Sequence, residues 1–442
     1  MKSISKRKNQ VMFAAASSLL SMSMGAIDAH AADGLFKELE GTFDHYGVKV
    51  GAWANAGVTY NATDPESNFN GPVTFGDRAS EFQLNQLNMY IQRAVAAEGS
   101  SWDFGGRFDI MFGTDSVFTQ AYGVPAFDVN TGAPLQRSTW DLDFLGSNSN
   151  RFYDFALPQA YLETYVPVGN GLNLKIGHFY TPIGYETVPA PDNFFYTHAY
   201  TMQYGEPFTH TGIMGNYTVD DNWAVMGGLV TGSATGGWDG GWDRDLGNWS
   251  GLAGATWTSN DKNTSVNVAG TYGDTSESSD AAWALYSVVL KHNINEKTHL
   301  VLQHDHGFAD DIIGLGDTEW YGINSHFIYD VSDTVVAGIR AEWFRDQQGF
   351  RVCSPGRIAA ATDNQGVSYA AAGNYLSTCA PATYYAITAG VTWKPKTWLS
   401  LRPNVRYDWV DGSTPKMFDV DGSGVGQKTD QFLFSTDMTV TF

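Results

Sequence analysis

The feature that most constrains this chain is a period of two. Val48, Val50, Ala52, Ala54, Ala56, Val58 and Tyr60 fall on one face of a stretch whose other face carries Lys49, Asn55 and Thr59. Trp102, Phe104, Phe108, Ile110 and Phe112 oppose Asp103, Arg107 and Asp109 in the same way. Val335, Ala337, Ile339, Ala341 and Trp343 oppose Arg340 and Glu342, and Leu399, Leu401, Val405, Tyr407 and Trp409 oppose Arg402, Asn404, Arg406 and Asp408. Side chains of extended backbone alternate between the two faces of a sheet, so each stretch predicts a strand that is apolar on one side only.

About sixteen such stretches follow one another. They lie near 47–60, 81–96, 102–112, 156–166, 172–179, 211–219, 223–231, 248–258, 264–272, 281–293, 298–306, 318–329, 334–344, 383–394, 398–409 and 431–442. The second switches phase, from Phe82 and Leu84 to Leu87, Met89 and Ile91, which predicts a bulge near Asn85 and Gln86. Short connections (169–171, 220–222, 259–263, 330–333) alternate with longer ones (113–155, 180–210, 232–247, 345–382, 410–430). The segment 273–280 is the weak member of the second set, nominally long yet short.

A soluble sandwich has no reason to keep that order, whereas a membrane barrel puts tight turns on one side and loops on the other. A sheet edge in hydrocarbon would leave N–H and C=O groups unpaired at several kcal/mol each, so a spanning sheet must close. The predicted fold is therefore all-β: a closed, antiparallel transmembrane β-barrel over 47–442 that contacts outer-membrane lipid.

What precedes the barrel reads differently. Lys2, Lys6, Arg7 and Lys8 lead into an apolar stretch, and Ala29-His30-Ala31 offers small residues for cleavage between Ala31 and Ala32. Basic, apolar and then A-x-A is the pattern of a secretory signal, expected over 1–31. Leu35, Phe36, Leu39 and Phe43 then recur at a spacing that predicts a short periplasmic helix within 32–46. No later segment approaches the ~20 apolar residues of a spanning helix.

Composition narrows the function. The 26 Lys and Arg are outnumbered by 47 Asp and Glu, giving a formal charge of −21. Removing 1–31 takes away four positive charges and one negative, so the charge falls to −24. No basic surface remains for nucleic acid. Two cysteines exclude a disulfide-rich scaffold and a multi-cysteine zinc site. Both, Cys353 and Cys379, fall in one predicted external loop and are expected to pair there. The sequence contains no G-x-S-x-G, H-E-x-x-H or P-loop motif, so enzyme chemistry is not indicated. His304 and His306 share a face without an identifiable third ligand and read as surface-loop residues.

One region has family-like detail. Gln159-Ala160-Tyr161-Leu162-Glu163 leads to Lys175-Ile176-Gly177-His178-Phe179-Tyr180-Thr181-Pro182-Ile183-Gly184-Tyr185-Glu186. Asn193-Phe194-Phe195-Tyr196 and Tyr204-Gly205-Glu206-Pro207-Phe208-Thr209-His210-Thr211-Gly212 follow. The strand ending in G-x-F, the T-P-x-G-Y-E turn, the Asn-containing loop and the P-x-x-H-x-G re-entry resemble the OmpL-like outer-membrane β-barrel porins. Many of those carry Ser-Arg-Ser after the Asn, where this chain has Tyr196-Thr197-His198-Ala199. The resemblance implies a porin-like barrel, and a homotrimer is the habit of sixteen-strand general porins. The last strand, ending Phe432, Phe434, Met438, Val440 and Phe442, looks like the C-terminal signal that outer-membrane assembly machinery reads in porins.

In such a barrel the polar faces line water. Lys49, Arg107, Lys175, Lys291, Arg340, Arg402 and Arg406 would share the lumen with Asp103, Asp109, Glu163, Glu342, Asp408 and Asp437. Arg340, Arg402 and Arg406 are the constriction candidates, since rings of opposed charge set solute preference. The loop between Thr181 and Pro207 is long enough to fold into the lumen or to cap it from outside. Asp419, Asp421, Ser423 and Asp430 stand at positions 1, 3, 5 and 12 of a calcium-loop spacing, with Gly424 at position 6. A bound Ca²⁺ is one reading and a plain Gly/Asp turn the other; no cofactor is required. The leading function is passive diffusion of small hydrophilic solutes. Acidic loops at 239–245, 274–280 and 310–317 would give a weak cation bias. The alternative is a plugged surface barrel acting as a receptor or structural protein.

Overall fold

The computed structural model describes residues 46–96, 98–119, 153–231, 249–276, 279–312, 316–349, 351–352, 381–411, 416–421 and 425–442. The signal segment with its Ala31/Ala32 cleavage point and the helix expected within 32–46 lie outside them. So do Cys353, Cys379, Ser423, the whole acidic loop 239–245 and the middles of those at 274–280 and 310–317.

Sixteen strands form one closed antiparallel barrel. They are β1 (Val48–Asn61), β2 (Phe82–Arg93), β3 (Asp103–Gly113), β4 (Asp154–Val166), β5 (Leu172–Tyr180), β6 (Thr209–Thr218), β7 (Trp223–Thr231) and β8 (Trp249–Thr258). Then come β9 (Thr264–Ser276), β10 (Ser279–Asn293), β11 (Thr298–Ile312), β12 (Gly316–Asp330), β13 (Val335–Asp346), β14 (Ala382–Lys396), β15 in two pieces (Leu399–Leu401 and Asn404–Asp411) and β16 (Asp430–Thr441). Each strand pairs with its neighbours in sequence, and β1 closes the ring against β16, with Trp53 opposite Thr441 and Asn61 opposite Leu433. Closure satisfies the backbone groups that an open edge would expose to lipid.

The alternation read from the sequence holds, with inverted burial. Outward side chains such as Phe82 and Leu162 are each 72% exposed, whereas the inward Arg340, Arg406 and Asp408 are solvent-inaccessible. Phase changes in β2 as expected: Asn55 faces Gln86 and Ala56 faces Leu84, leaving Asn85 as the bulged residue. Asn85 and Gln86 both end up buried in the lumen. β15 breaks at Arg402-Pro403 because proline has no N–H to give the ladder. The short connection at 273–280 also has a simple cause. β9 has 13 residues and β10, β11 and β12 have 15 each, so strand replaces loop on that side.

The lumen is packed. Two connections at the long-loop end fold inward, one between β1 and β2 (62–81) and one between β5 and β6 (181–208). The first was not among the long connections expected from the sequence. Phe75 from that segment stacks on Phe118 at 4.4 Å and meets the His198 ring edge-on at 4.2 Å. Tyr200, Tyr204, Trp283, Trp320, Phe344, Tyr384, Met417 and Phe418 form a second apolar cluster with Phe69. Part of it comes from a two-strand ribbon, Phe418–Val420 against Gly426–Lys428.

Candidate functional site in the lumen

The segment 181–208 is pinned where it leaves and rejoins the wall. The Thr181 N–H donates to the Phe208 carbonyl at 3.0 Å, and Thr181 Oγ1 lies 2.9 Å from His210 Nε2. Asn193 closes the first bend, donating to the carbonyls of Thr187 (2.6 Å) and Pro189 (3.0 Å). These are the T-P-x-G-Y-E, Asn and P-x-x-H-x-G elements, so the family-like residues are the ones that shape this insert.

The wall grips the segment through three arginines. Arg340 Nη1 donates to Glu186 Oε1 at 2.5 Å and to the Thr197 carbonyl at 2.7 Å. Arg406 Nη1 donates to the His198 carbonyl at 2.7 Å. Arg402 Nη1 reaches the carbonyls of Ala190 (2.8 Å), Asn193 (2.7 Å) and Phe195 (3.2 Å). A guanidinium offers five N–H donors in a fixed fork, which suits it to collecting carbonyls at the end of a turn.

Each arginine is also neutralised by the wall. Arg340 binds Glu342 at 2.7 Å and Arg406 binds Asp408 at 2.8 Å, both two residues along the same strand and hence on the same face. Arg402 pairs instead with Asp437 on β16. The carboxylates reach back to the segment: Glu342 accepts from the Tyr200 N–H at 2.8 Å, and Asp408 accepts from the Tyr200 hydroxyl at 2.9 Å. Buried ions of this kind are tolerable only when paired and hydrogen-bonded together. Burial alone would raise the Glu186 carboxyl, but Arg340, with His198 and His326 behind it, holds it well below the usual carboxylate range.

The other lumen candidates lie away from this junction. Arg107 binds Asp109 at 2.5 Å, again two residues along one strand, and stacks over Tyr90 at 4.2 Å. Glu163 and Lys175 are cross-strand partners, with the Lys175 ammonium over the Tyr161 ring at 4.3 Å. Lys291 sits over Tyr185 at 5.1 Å, while Asp103 binds Arg93 at 2.8 Å. Lys49 is exposed near the short-turn end of β1. Sequence reasoning missed Glu186, Tyr200, Gln203 and Glu206, all within the segment, because their partners lie more than 95 residues away in the chain.

The calcium-spacing residues do not converge among the described residues. Asp419 Oδ2 lies 3.4 Å from Lys428 Nζ, Asp421 accepts from the Val425 N–H at 3.0 Å, and Asp430 accepts from the Tyr407 hydroxyl at 2.7 Å. His304 and His306 are in strand β11 rather than in a loop. They share the outer face with Tyr286, whose hydroxyl is 3.4 Å from each, and His306 lies 2.7 Å from Glu319.

Comparison with known proteins places this architecture. Among solved structures the chain is similar to Pseudomonas putida OprB in its high-pH structure, at 11% identity and a TM-score of 0.55, covering 92% of this chain and 97% of that one. It is similar to an anion-selective porin from Comamonas acidovorans, at 10% identity and a TM-score of 0.54 over 89% and 99% of the two chains. It is also similar to the trimer form of Vibrio cholerae OmpT, at 11% identity and a TM-score of 0.51 over 89% and 99%. At these identities the likeness concerns the fold alone. No curated protein matches the chain. The family described as "Putative beta-barrel porin-2, OmpL-like" matches residues 47–442, the whole barrel, and the protein belongs to that outer-membrane porin family.

Proposed function

We propose that the protein is a channel for small hydrophilic solutes whose conducting path is set by the 181–208 segment. The observation that carries this reading is the set of Arg340, Arg402 and Arg406 contacts that hold the segment's carbonyls inside the lumen. A sixteen-strand barrel encloses space wide enough for an aqueous path, and an insert narrows it. Solutes then meet a constriction of mixed and largely compensated charge, because each gripping arginine has its own carboxylate. The net excess of acid belongs to the rest of the chain, so a weak preference for cations at the mouth goes with this reading. A homotrimer is the assembly proposed with it.

The second reading is a filled barrel that acts as a surface receptor or structural protein. The solvent-inaccessible Arg340, Arg406 and Asp408 favour it. Planar-bilayer recording on folded, detergent-extracted protein separates the two, with reversal potential across a salt gradient giving ion preference. Absence of channel events across the accessible pH range sinks the channel reading; strong anion selectivity at low salt sinks the cation bias.

A further inference from the structure

Two carboxylates meet inside the lumen, and among the described residues no arginine or lysine pairs with either. Glu206, at the end of the 181–208 segment, is 1% exposed, and Asp305, inward on β11, is inaccessible. One amide serves both: Gln303 Nε2 donates to Glu206 Oε1 and lies 2.9 and 2.8 Å from the two Asp305 oxygens. Its Oε1 accepts from the Tyr185 N–H at 3.1 Å, so the same side chain touches both ends of the segment. The backbone crowds the pair from either side. A Cβ on Gly184 would fall 1.7 Å from Glu206 Oε2, and one on Gly205 would fall 3.3 Å from Asp305 Oδ2.

Glu186, Arg351, His304 and His326, the charged or titratable groups around the pair, each face another partner. Glu186, from the same segment, is held by Arg340. Arg351 donates to the Tyr204 carbonyl at 2.7 Å and lies over Trp320. His304 points away on the outer face of β11 and contacts the Gly322 carbonyl. His326 faces Glu186 at 3.8 Å. From β10 the pair meets Ser287, the direct cross-strand neighbour of Asp305. Two carboxylates this close and this dry do not both ionise, and one proton shared between them relieves the repulsion.

We propose that Glu206 and Asp305 form a proton latch, in which a shared proton holds the end of the lumen segment against β11 and its loss at alkaline pH releases the segment. Asp305 is fixed in the wall, so repulsion moves Glu206 and the segment behind it. The sign follows from proton counting. Burial first, and Asp305 second, push the Glu206 carboxyl well above its usual range, whereas in the released segment it would ionise normally. The docked state thus binds the extra proton and weakens as pH rises. His198, 3.3 Å from Glu186 Oε2, and His326 both face Glu186.

The latch rests on the lumen site described above, and its test has two readouts. Full-length protein is folded in detergent, checked by its heat-dependent mobility in gels, and studied from pH 6.5 to 9.5. In bilayers the wild type should open progressively, by up to about tenfold per pH unit for a single proton. Brief chymotrypsin treatment at each pH should cut increasingly at Phe194, Tyr196, Tyr200 or Tyr204. Glu206→Gln and Asp305→Asn, each a neutral isostere, should stay closed and protected throughout; either variant suffices if the other fails to fold. Cleavage that rises with pH in the wild type alone, without conductance, keeps the latch and removes the channel reading. Cleavage flat with pH, or a slope that persists in either variant, overturns the latch whatever the conductance does.

Discussion

Arg402, at the break in β15, and Asp437 on β16 face each other across the seam where the last two strands meet, with Arg402 Nε 3.0 and 3.1 Å from the two carboxylate oxygens. Asp437 Oδ2 also accepts from Asn55 Nδ2 on β1. One carboxylate therefore ties the closing strands together and orients the arginine that holds the lumen segment. Barrel closure and lumen constriction are coupled through this pair.

Removing the guanidinium should open the lumen. Arg402→Met frees the carbonyls of Ala190, Asn193 and Phe195 and leaves Asp437 buried with Asn55 as its side-chain partner. Breaking a buried pair from one side costs about 3–5 kcal/mol. We expect higher single-channel conductance, uptake of larger neutral sugars in liposome swelling, and an earlier urea midpoint. Arg402→Lys keeps the charge without the fork and should fall between the two. Wild-type conductance in Arg402→Met would mean that Arg340 and Arg406 hold the segment unaided.

The strands were legible because lipid outside and polar groups inside preserve the period of two, even through the Asn85 bulge. The same-strand pairs Arg107/Asp109, Arg340/Glu342 and Arg406/Asp408 were legible as spacing, since residues two apart must share a face. What they grip was not. Arg402 and Arg406 bind main-chain carbonyls of the segment, and a carbonyl has no sequence signature. The 62–81 segment was missed because Pro65, Asn68, Gly71, Pro72 and Gly76 read as ordinary turn residues. Its role depends on distant contacts, such as the Thr74 N–H on Gln203 Oε1 and the Tyr204 hydroxyl on the Pro72 carbonyl. Trp283, Trp320 and Phe344 point inward against the polar-lumen rule because the inserts cover them.

The outward face should behave as lipid-contacting surface. Ile339 lies beside the gripping Arg340, yet it is 51% exposed on the outside of β13. Ile339→Lys should cost about 2–4 kcal/mol if that position lies near the bilayer midplane. Ile339→Leu should be close to neutral. Urea titration of folding into vesicles reads both; equal midpoints would mean that Ile339 does not face hydrocarbon.

Gly184 is a backbone requirement of the lumen site. Its φ of +89° lies where residues with a Cβ are strained, and a Cβ would collide with Glu206. Gly184→Ala should displace the start of the segment while the barrel still folds. The expected result is native heat-modifiable mobility with raised conductance and faster chymotrypsin cleavage within 181–208. A variant as closed and as protected as the wild type would show that the bend tolerates a side chain.

The 62–81 segment should carry its own pH dependence through Asp77. Burial pushes this carboxyl up to about 7, against the opposing effects of the Gln83 hydrogen bond and Arg78. Gln83 Nε2 lies 3.1 Å from Asp77 Oδ1, a contact that an asparagine can retain. An unfolded aspartate ionises near pH 4, so between roughly pH 4 and pH 7 the docked segment binds the extra proton and its stability falls as pH rises. Above pH 7 both states are ionised and the loss is complete. Asp77→Asn removes that dependence. Hydrogen exchange over 62–81, compared between wild type and Asp77→Asn at each pH, should be alike at pH 4 and differ most at pH 8, where the variant is better protected. Equal protection at pH 8 would mean that Asp77 docks as readily charged as neutral.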